Sequence, residues 1–385
     1  MKEFGSYIKK SISDDNRCYI DYKYSELKFF AQGSLSDNIT YTIPEDIVTI
    51  GRSAFRGSEK ISKIIIGKKQ VSGRYVTYIN KLKNINGYAF EGCEKLSSIL
   101  GLKNVTNIST GAFMNCVELG EVTLPDGLEV ISDQAFKGCK KLRINNIPST
   151  VTNLGKSAFE GALNTLSENE AADITLTLPN ITTINENMFN GCTKLKTISI
   201  NENTTTINNK AFQGCSNLTT VTLPKNTILN YINDYAFKDC TNLKTFQLPE
   251  ALTSIGNFTF ENCTNYNNDI PKGIKTMGVG CFKKSGIKNL NLKDCSNLNA
   301  IPIDSFSECV QLETIEMGNY IQIINENAFN GCVNLCKDNR TLILSDNITN
   351  IKDFAFNNCS CITSITLPTK IEKLGTYCLF TNPTD

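Results

Sequence analysis

Residues 207–224 read INNKAFQGCSNLTTVTLP, and the spacing of the apolar side chains in this stretch decides how the chain folds. Counted from Phe212, a Cys follows at +3, Leu at +6, Val at +9, Leu at +11 and Pro at +12, with Ala at −1 and Ile at −5. The same frame returns around Phe55, Phe90, Phe113, Phe136, Phe159, Phe189, Phe237, Phe260, Phe282, Phe306, Phe329 and Phe356, and imperfectly around Leu379. The commonest step is 23 residues, as from 90 to 113, 113 to 136 and 136 to 159. A fixed period of roughly 20–29 residues with Leu-x-x-Leu-x-Leu spacing marks a leucine-rich array, in which no unit can bury its apolar side except on its neighbours.

Within a unit, Leu at +6, Val or Ile at +9 and Leu or Ile at +11 share one side of a short parallel strand. Pro125, Pro224 and Pro249 close such strands, because a ring without an N–H cannot continue a ladder. An irregular or single-turn helical segment follows, with inward Leu or Ile near +15 and +18. The Ala–Phe pair then turns the corner, Phe filling the centre. The expected fold class is therefore an α/β repeat solenoid: a leucine-rich repeat arc of about 14 coils with a parallel β-sheet on the concave face. Residues 1–35 do not fit the repeat and read as an N-terminal cap or partly disordered segment, with the stretch 25–35 a candidate strand pair; 36–385 form the repeat domain. Insertions are expected at 68–80, as an exposed hairpin or loop, around 163–173, and at 336–340. The coil after Phe260 has Tyr266 and Asn267 where Leu belongs, and is expected to be the least regular.

The 39 Lys and Arg against 38 Asp and Glu leave a net charge of +1, which is not the footprint of a nucleic-acid binder. No run approaches 18 apolar residues, so membrane insertion is not expected. The chain has no His, which removes Ser-His-Asp and Cys-His arrangements, His-based metal sites and the commonest general base together. Glu168 and Glu170 lie in a polar insert and read as a solvated loop. No catalytic, cofactor-binding or metal residues are assigned, and enzymatic function is not expected. Ten of the 16 cysteines, from Cys93 to Cys359, fall at +3, where Ser58, Ala162 and Ser285 also occur. Small residues thus suffice there, and the row reads as buried thiols packed as small hydrophobes rather than a disulfide ladder. Cys18, Cys295, Cys336 and Cys361 fall outside the rows and are the candidates for accessible thiols.

The recurring pattern L-x-x-[IV]-x-[LI]-P-x-x-[LI]-x-x-I-x-x-x-A-F-x-x-C closely resembles the BspA-like, treponemal-type leucine-rich repeat family over roughly residues 36 to 380. The resemblance implies a non-enzymatic protein-binding protein, a surface antigen or adhesin whose partner is a host matrix or cell-surface protein. It supplies no fixed catalytic or ligand residues. The N-terminal MKEFGSYIKKSISDDNR has no apolar run of signal-peptide length. Taken at face value that gives the alternative, a cytoplasmic scaffold of the same fold, against the surface or secreted location implied by the resemblance.

The strand residues at +8 and +10 face outward: Glu121 and Thr123, Thr197 and Ser199, Thr220 and Thr222, Thr245 and Gln247, Thr314 and Glu316, Ser364 and Thr366. Two readings stand for this row. Thr suits the wet face of any sheet, and an extended solenoid face is also where such proteins take partners. Tyr75 and Tyr78 in the first insertion are the aromatic residues worth testing, and the last coil, with Cys378 and Leu379 in place of Ala-Phe, offers an edge for end-to-end self-association.

Overall fold

The structure is a computed structural model that describes residues 17–31, 36–120, 122–164 and 173–379. Glu121, the 165–172 part of the second insertion with Glu168 and Glu170, and the outer parts of the N-terminal segment lie outside the described residues. Residues divide into two compact units: Met1–Ile181 with Asn187–Lys194, and Thr182–Glu186 with Leu195–Asp385. Each is a parallel β-solenoid built from the coils read in the sequence, and the fold carries almost no helix; Leu102–Asn104 is the one helical turn among the described residues.

In the first unit the Phe anchors form a continuous column. The rings of Phe55, Phe90, Phe113, Phe136, Phe159 and Phe189 stack at centroid distances of 4.9 to 5.6 Å, within 8° of parallel. Phe30 heads the column, 5.0 Å from Phe55. Its N–H bonds to Ala54 O at 2.9 Å, as that of Phe55 does to Ala89 O at 2.7 Å. Thus the N-terminal segment supplies a turn of its own: Cys18–Asp21 pairs antiparallel with Glu26–Phe30, which pairs parallel with Thr49–Ile50. In the second unit Phe212, Phe237, Phe260 and Phe282 stack in the same way, as do Phe306, Phe329 and Phe356.

Two parallel ladders run along each unit, where the sequence reading foresaw one. The expected strands at +8 to +10 form, for example, Ile61–Ile66 beside Ser98–Leu100, and Leu195–Ser199 beside Thr220–Thr222. The segment expected to be irregular or helical instead supplies a two-residue strand with its Ile at −5: Thr49–Ile50, Asn84–Ile85, Asn107–Ile108, Val130–Ile131 and Asn153–Leu154 pair in order. The inward members Ile50, Ile85, Ile108 and Ile131 are fully buried. The second unit repeats this with Thr183–Ile184 through Thr276–Met277, and with Ala300–Ile301 through Lys373–Leu374. With only one inward residue per strand there is no alternation to read.

The corner around each anchor has its own backbone logic. The residues at −2 and +2 take left-handed φ, as at Ser53 (56°) and Gly57 (65°), or Tyr88 (59°) and Gly92 (69°). Alternating hands aim successive N–H groups along the solenoid. Ser53, Phe55 and Gly57 donate to Gly87, Ala89 and Glu91 carbonyls at 3.1, 2.7 and 2.7 Å. Position +2 is often Gly, for which a positive φ costs nothing. At −2 a side chain is the rule, and the ladder offsets a local cost of about 1–2 kcal/mol.

The +3 thiols do more than fill space. Cys93, Cys116 and Cys139 each donate Sγ–H to the carbonyl of the preceding anchor, Phe55, Phe90 and Phe113, at 3.0 Å. Cys332 and Cys359 do the same toward Phe306 and Phe329. All 16 cysteines are free thiols. Tyr266 proves to take the Leu slot at +6, fully buried, its ring 4.7 Å from Phe260 and its hydroxyl donating to Phe246 O at 3.2 Å. The coil is still irregular: 266–271 form no strand.

Candidate binding face

The outward side chains of the longer strands are placed by the pleat: with Ile198 and Ile200 buried, Thr197 and Ser199 alternate with them and face away from the core. Parallel pairing without a register shift then sets like positions side by side. Thr197 lies beside Thr220, and Ser199 beside Thr222; Thr220 bridges on to Thr245, with exposed Gln247 two residues along. Further along the second unit, Thr314 and Glu316 pair with Asn289 and Asn291, and Ser364 and Thr366 pair with Thr341 and Ile343. Side-chain hydrogen bonds reinforce these lines, Thr314 Oγ1 to Asn289 Oδ1 at 2.8 Å and Thr341 Oγ1 with Ser364 Oγ at 2.7 Å. Thr123 belongs to the first unit; it is exposed, but 122–125 form no strand, so it stands apart from such a ladder. Its expected companion Glu121 lies outside the described residues.

The structure adds a residue that sequence reasoning missed. Ile343 sits on this polar face with 66% of its surface exposed, the most of any large apolar residue among the described residues of its unit. The insertion around 336–340 lengthens the frame by four residues, and counting +14 instead of +10 from Phe329 would have found it. A cleft of about 620 Å³ lies on one side, lined by Ile315, Glu316, Met317, Tyr320 and Leu344 among others. A second, of about 320 Å³, is lined by Thr314, Cys336, Asn339 and Thr341, and Ile343 borders both. Tyr320 is 52% exposed. An aliphatic side chain between two concavities, with a Tyr beside it and polar groups around, has the make-up of an interface hot spot.

Burial disfavours the thiolate at several positions of the row. Burial pushes Cys116, Cys240 and Cys332 well above the ordinary thiol value. It pushes Cys359 up to about 12, and Cys309 to about 11, the latter restrained by the Ser285 hydroxyl at 3.4 Å. Of the four thiols expected to be accessible, Cys336 and Cys361 are half-buried, whereas Cys18 and Cys295 are buried. Cys18, on the first strand of the N-terminal pair, points inward with its Sγ 2.8 Å from the Tyr41 hydroxyl, and Cys295 packs at 2% exposure. Among the described residues no group of three or more Cys, Asp or Glu side chains could hold a metal ion, and no helix is long and apolar enough to cross a membrane.

Coil length, the Phe column and the paired outward rows together define a leucine-rich repeat β-solenoid. The BspA type Leucine rich repeat region matches residues 70–175, 163–288, 210–336 and 336–384, and the chain belongs to that family. No curated protein matches it. A leucine-rich repeat protein from Bacteroides ovatus has a similar structure: 22% identity over 91% of this chain and 85% of that one, at a TM-score of 0.62. Weaker likenesses are a leucine rich cell surface protein from Faecalibacterium prausnitzii (20% identity, 95% and 93% of the two chains, TM-score 0.49) and the pneumococcal vaccine antigen PcpA (16%, 84% and 85%, TM-score 0.44).

Proposed function

We propose that the chain is a non-enzymatic protein-binding module of a surface antigen or adhesin, taking a protein partner on the outward rows of its longer strands. The observation that carries this reading is Ile343, an exposed aliphatic residue between two clefts on an otherwise polar face. Family membership supports it. Thr314, Glu316, Ser364 and Thr366 form the polar surround of the contact, and the Thr197–Thr222 rows extend it.

The test has two parts. Membrane-impermeant biotinylation of intact source cells, with a permeabilised control, is expected to label the protein before permeabilisation; labelling only afterwards would instead favour the cytoplasmic scaffold. Purified protein is then expected to bind immobilised matrix proteins, and Ile343→Asp to weaken that binding about tenfold or more without moving the melting temperature. Equal binding by the variant would remove this face from the account.

A further inference from the structure

The insertion at 68–80 is a protruding hairpin that the repeat does not need. Lys68–Ser72 pairs antiparallel with Tyr75–Ile79, from Lys68 opposite Ile79 to Ser72 opposite Tyr75. Gly73, at φ +60°, opens the two-residue turn. At the base, Gly67 lets the arm leave strand Ile61–Ile66, since a Cβ there would lie 2.1 Å from Ile79 O. The arm is unusually apolar for an exposed element: Val71 is 61% exposed, Tyr75 79%, Val76 49% and Ile79 53%. It is also cationic. Lys68, Lys69 and Arg74 are its charges, it has no Asp or Glu, and among the described residues none of the three is ion-paired.

One edge of the arm is open. In a two-residue hairpin the residues closing the turn exchange hydrogen bonds, and bonded pairs then alternate. Ser72–Tyr75, Gln70–Thr77 and Lys68–Ile79 are therefore the bonded pairs, and the backbone groups of Val76 and Tyr78 turn away from the partner strand. Tyr78 O accepts from Asn80 Nδ2 at 3.4 Å; among the described residues the Val76 N–H and C=O and the Tyr78 N–H have no partner and form a strand edge. Val76, Thr77 and Tyr78 all line one cleft of about 590 Å³. Consecutive residues point to opposite faces, so three in a row border the same space along the backbone edge. The opposite wall holds Leu100, Leu102, Leu124 and Pro125, with Lys103 and Asp126 as its charges.

We propose that this arm is a strand-addition site for an extended, acidic segment of a partner protein. Such a segment pairs its backbone with the edge Tyr75–Ile79 and lays alternate apolar side chains on Leu100 and Leu124. Its carboxylates then meet Lys69, Arg74 and Lys103. Backbone pairing supplies affinity, and the charges select the partner. This site is separate from the Ile343 face and does not depend on it.

The test uses the full chain and fluorescein-labelled peptides of about ten residues, enough to span a five-residue edge. An alternating Glu–Val peptide is expected to give a saturable rise in anisotropy that weakens with salt. Its Lys–Val counterpart and a backbone N-methylated Glu–Val peptide are expected not to. The exposed double charge reversal Lys69→Glu with Arg74→Glu is expected to raise Kd by about tenfold or more. Val76→Pro, which removes the edge N–H, is expected to abolish binding, while Ile343→Asp leaves it unchanged. Absence of saturable binding, equal binding of the Lys–Val peptide, or indifference to charge reversal overturns the proposal. So does a dimer in sedimentation velocity that Val76→Pro dissolves, because the occupant is then a second copy of this chain.

Discussion

Truncating one ring in the Phe column tests the assignment of inside and outside most directly. Phe113 has no exposed surface and is sandwiched by Phe90 at 5.2 Å and Phe136 at 5.3 Å, both within 7° of parallel. Phe113→Ala removes a fully buried phenyl group, about 2–3 kcal/mol of transfer free energy. It also loses two ring contacts of about 0.5–1.5 kcal/mol each, part of which the transfer figure already contains. The hole cannot close readily, because the backbone there is fixed from both sides: Phe113 N–H bonds to Ala135 O at 2.8 Å, and Cys139 Sγ–H to Phe113 O at 3.0 Å. The expected cost is about 3–5 kcal/mol. In a repeat array that cost falls on the neighbouring coils, so a readout resolved along the chain is needed to see where it falls. Hydrogen exchange by mass spectrometry is the assay: amides at 84–90, 107–113 and 130–136 are expected to exchange about 10²–10⁴-fold faster, while 300–356 stay protected. Thr123→Ala, on an exposed side chain in the next half-coil, is expected to cost within about 0.5 kcal/mol. Comparable losses from the two variants, or acceleration spread evenly along the chain, would refute the packing argument.

Two further outcomes follow from the corner and the thiol row. Burial holds Cys309 and Cys359 protonated in the fold, and unfolding releases them to ordinary values, so their contribution is fully present below about pH 8.5. It is lost as pH rises toward about 11 for Cys309 and about 12 for Cys359. The melting temperature is therefore expected to fall steeply above about pH 9, and less steeply in Cys309→Ala; a flat alkaline profile would show that the row is not desolvated. Gly280 has φ +58°, and a Cβ there would lie 2.4 Å from the Phe258 ring of the preceding coil. Gly280→Ala is expected to cost about 2 kcal/mol in urea unfolding, and Phe258→Ser, the residue found at 53 and 157, to recover part of it. A cost below about 0.5 kcal/mol would mean that the corner yields more easily than its ladder implies.

What was legible in the sequence was whatever the repeat enforces. Phe, Leu and Ile at fixed offsets named the core residue by residue, because every coil must satisfy the same neighbour. The second ladder was hidden, since a two-residue strand such as Asn107–Ile108 presents a single inward side chain and no period. The left-handed corner was hidden too: at −2 the chain places Tyr88, Gln134, Lys210 and Phe258, residue types that carry no turn signal of their own. Cys at +3 was read as a small filler, and its bond to the anchor carbonyl emerges only when two coils are stacked. The outward row was located, but its chemistry could not be ranked, because a solenoid constrains its inward positions and leaves the others free. Departures from the frame carry more information there. The insertion at 68–80 builds the cationic arm, and that at 336–340 places Ile343 where its neighbouring coils carry Glu316 and Thr366. Both insertions interrupt an array that would stack without them, and stacking therefore accounts neither for the exposed apolar side chains of the arm nor for Ile343 just beyond the second insertion. A partner can, and these two interruptions, rather than the regular Thr rows, are where the search for it belongs.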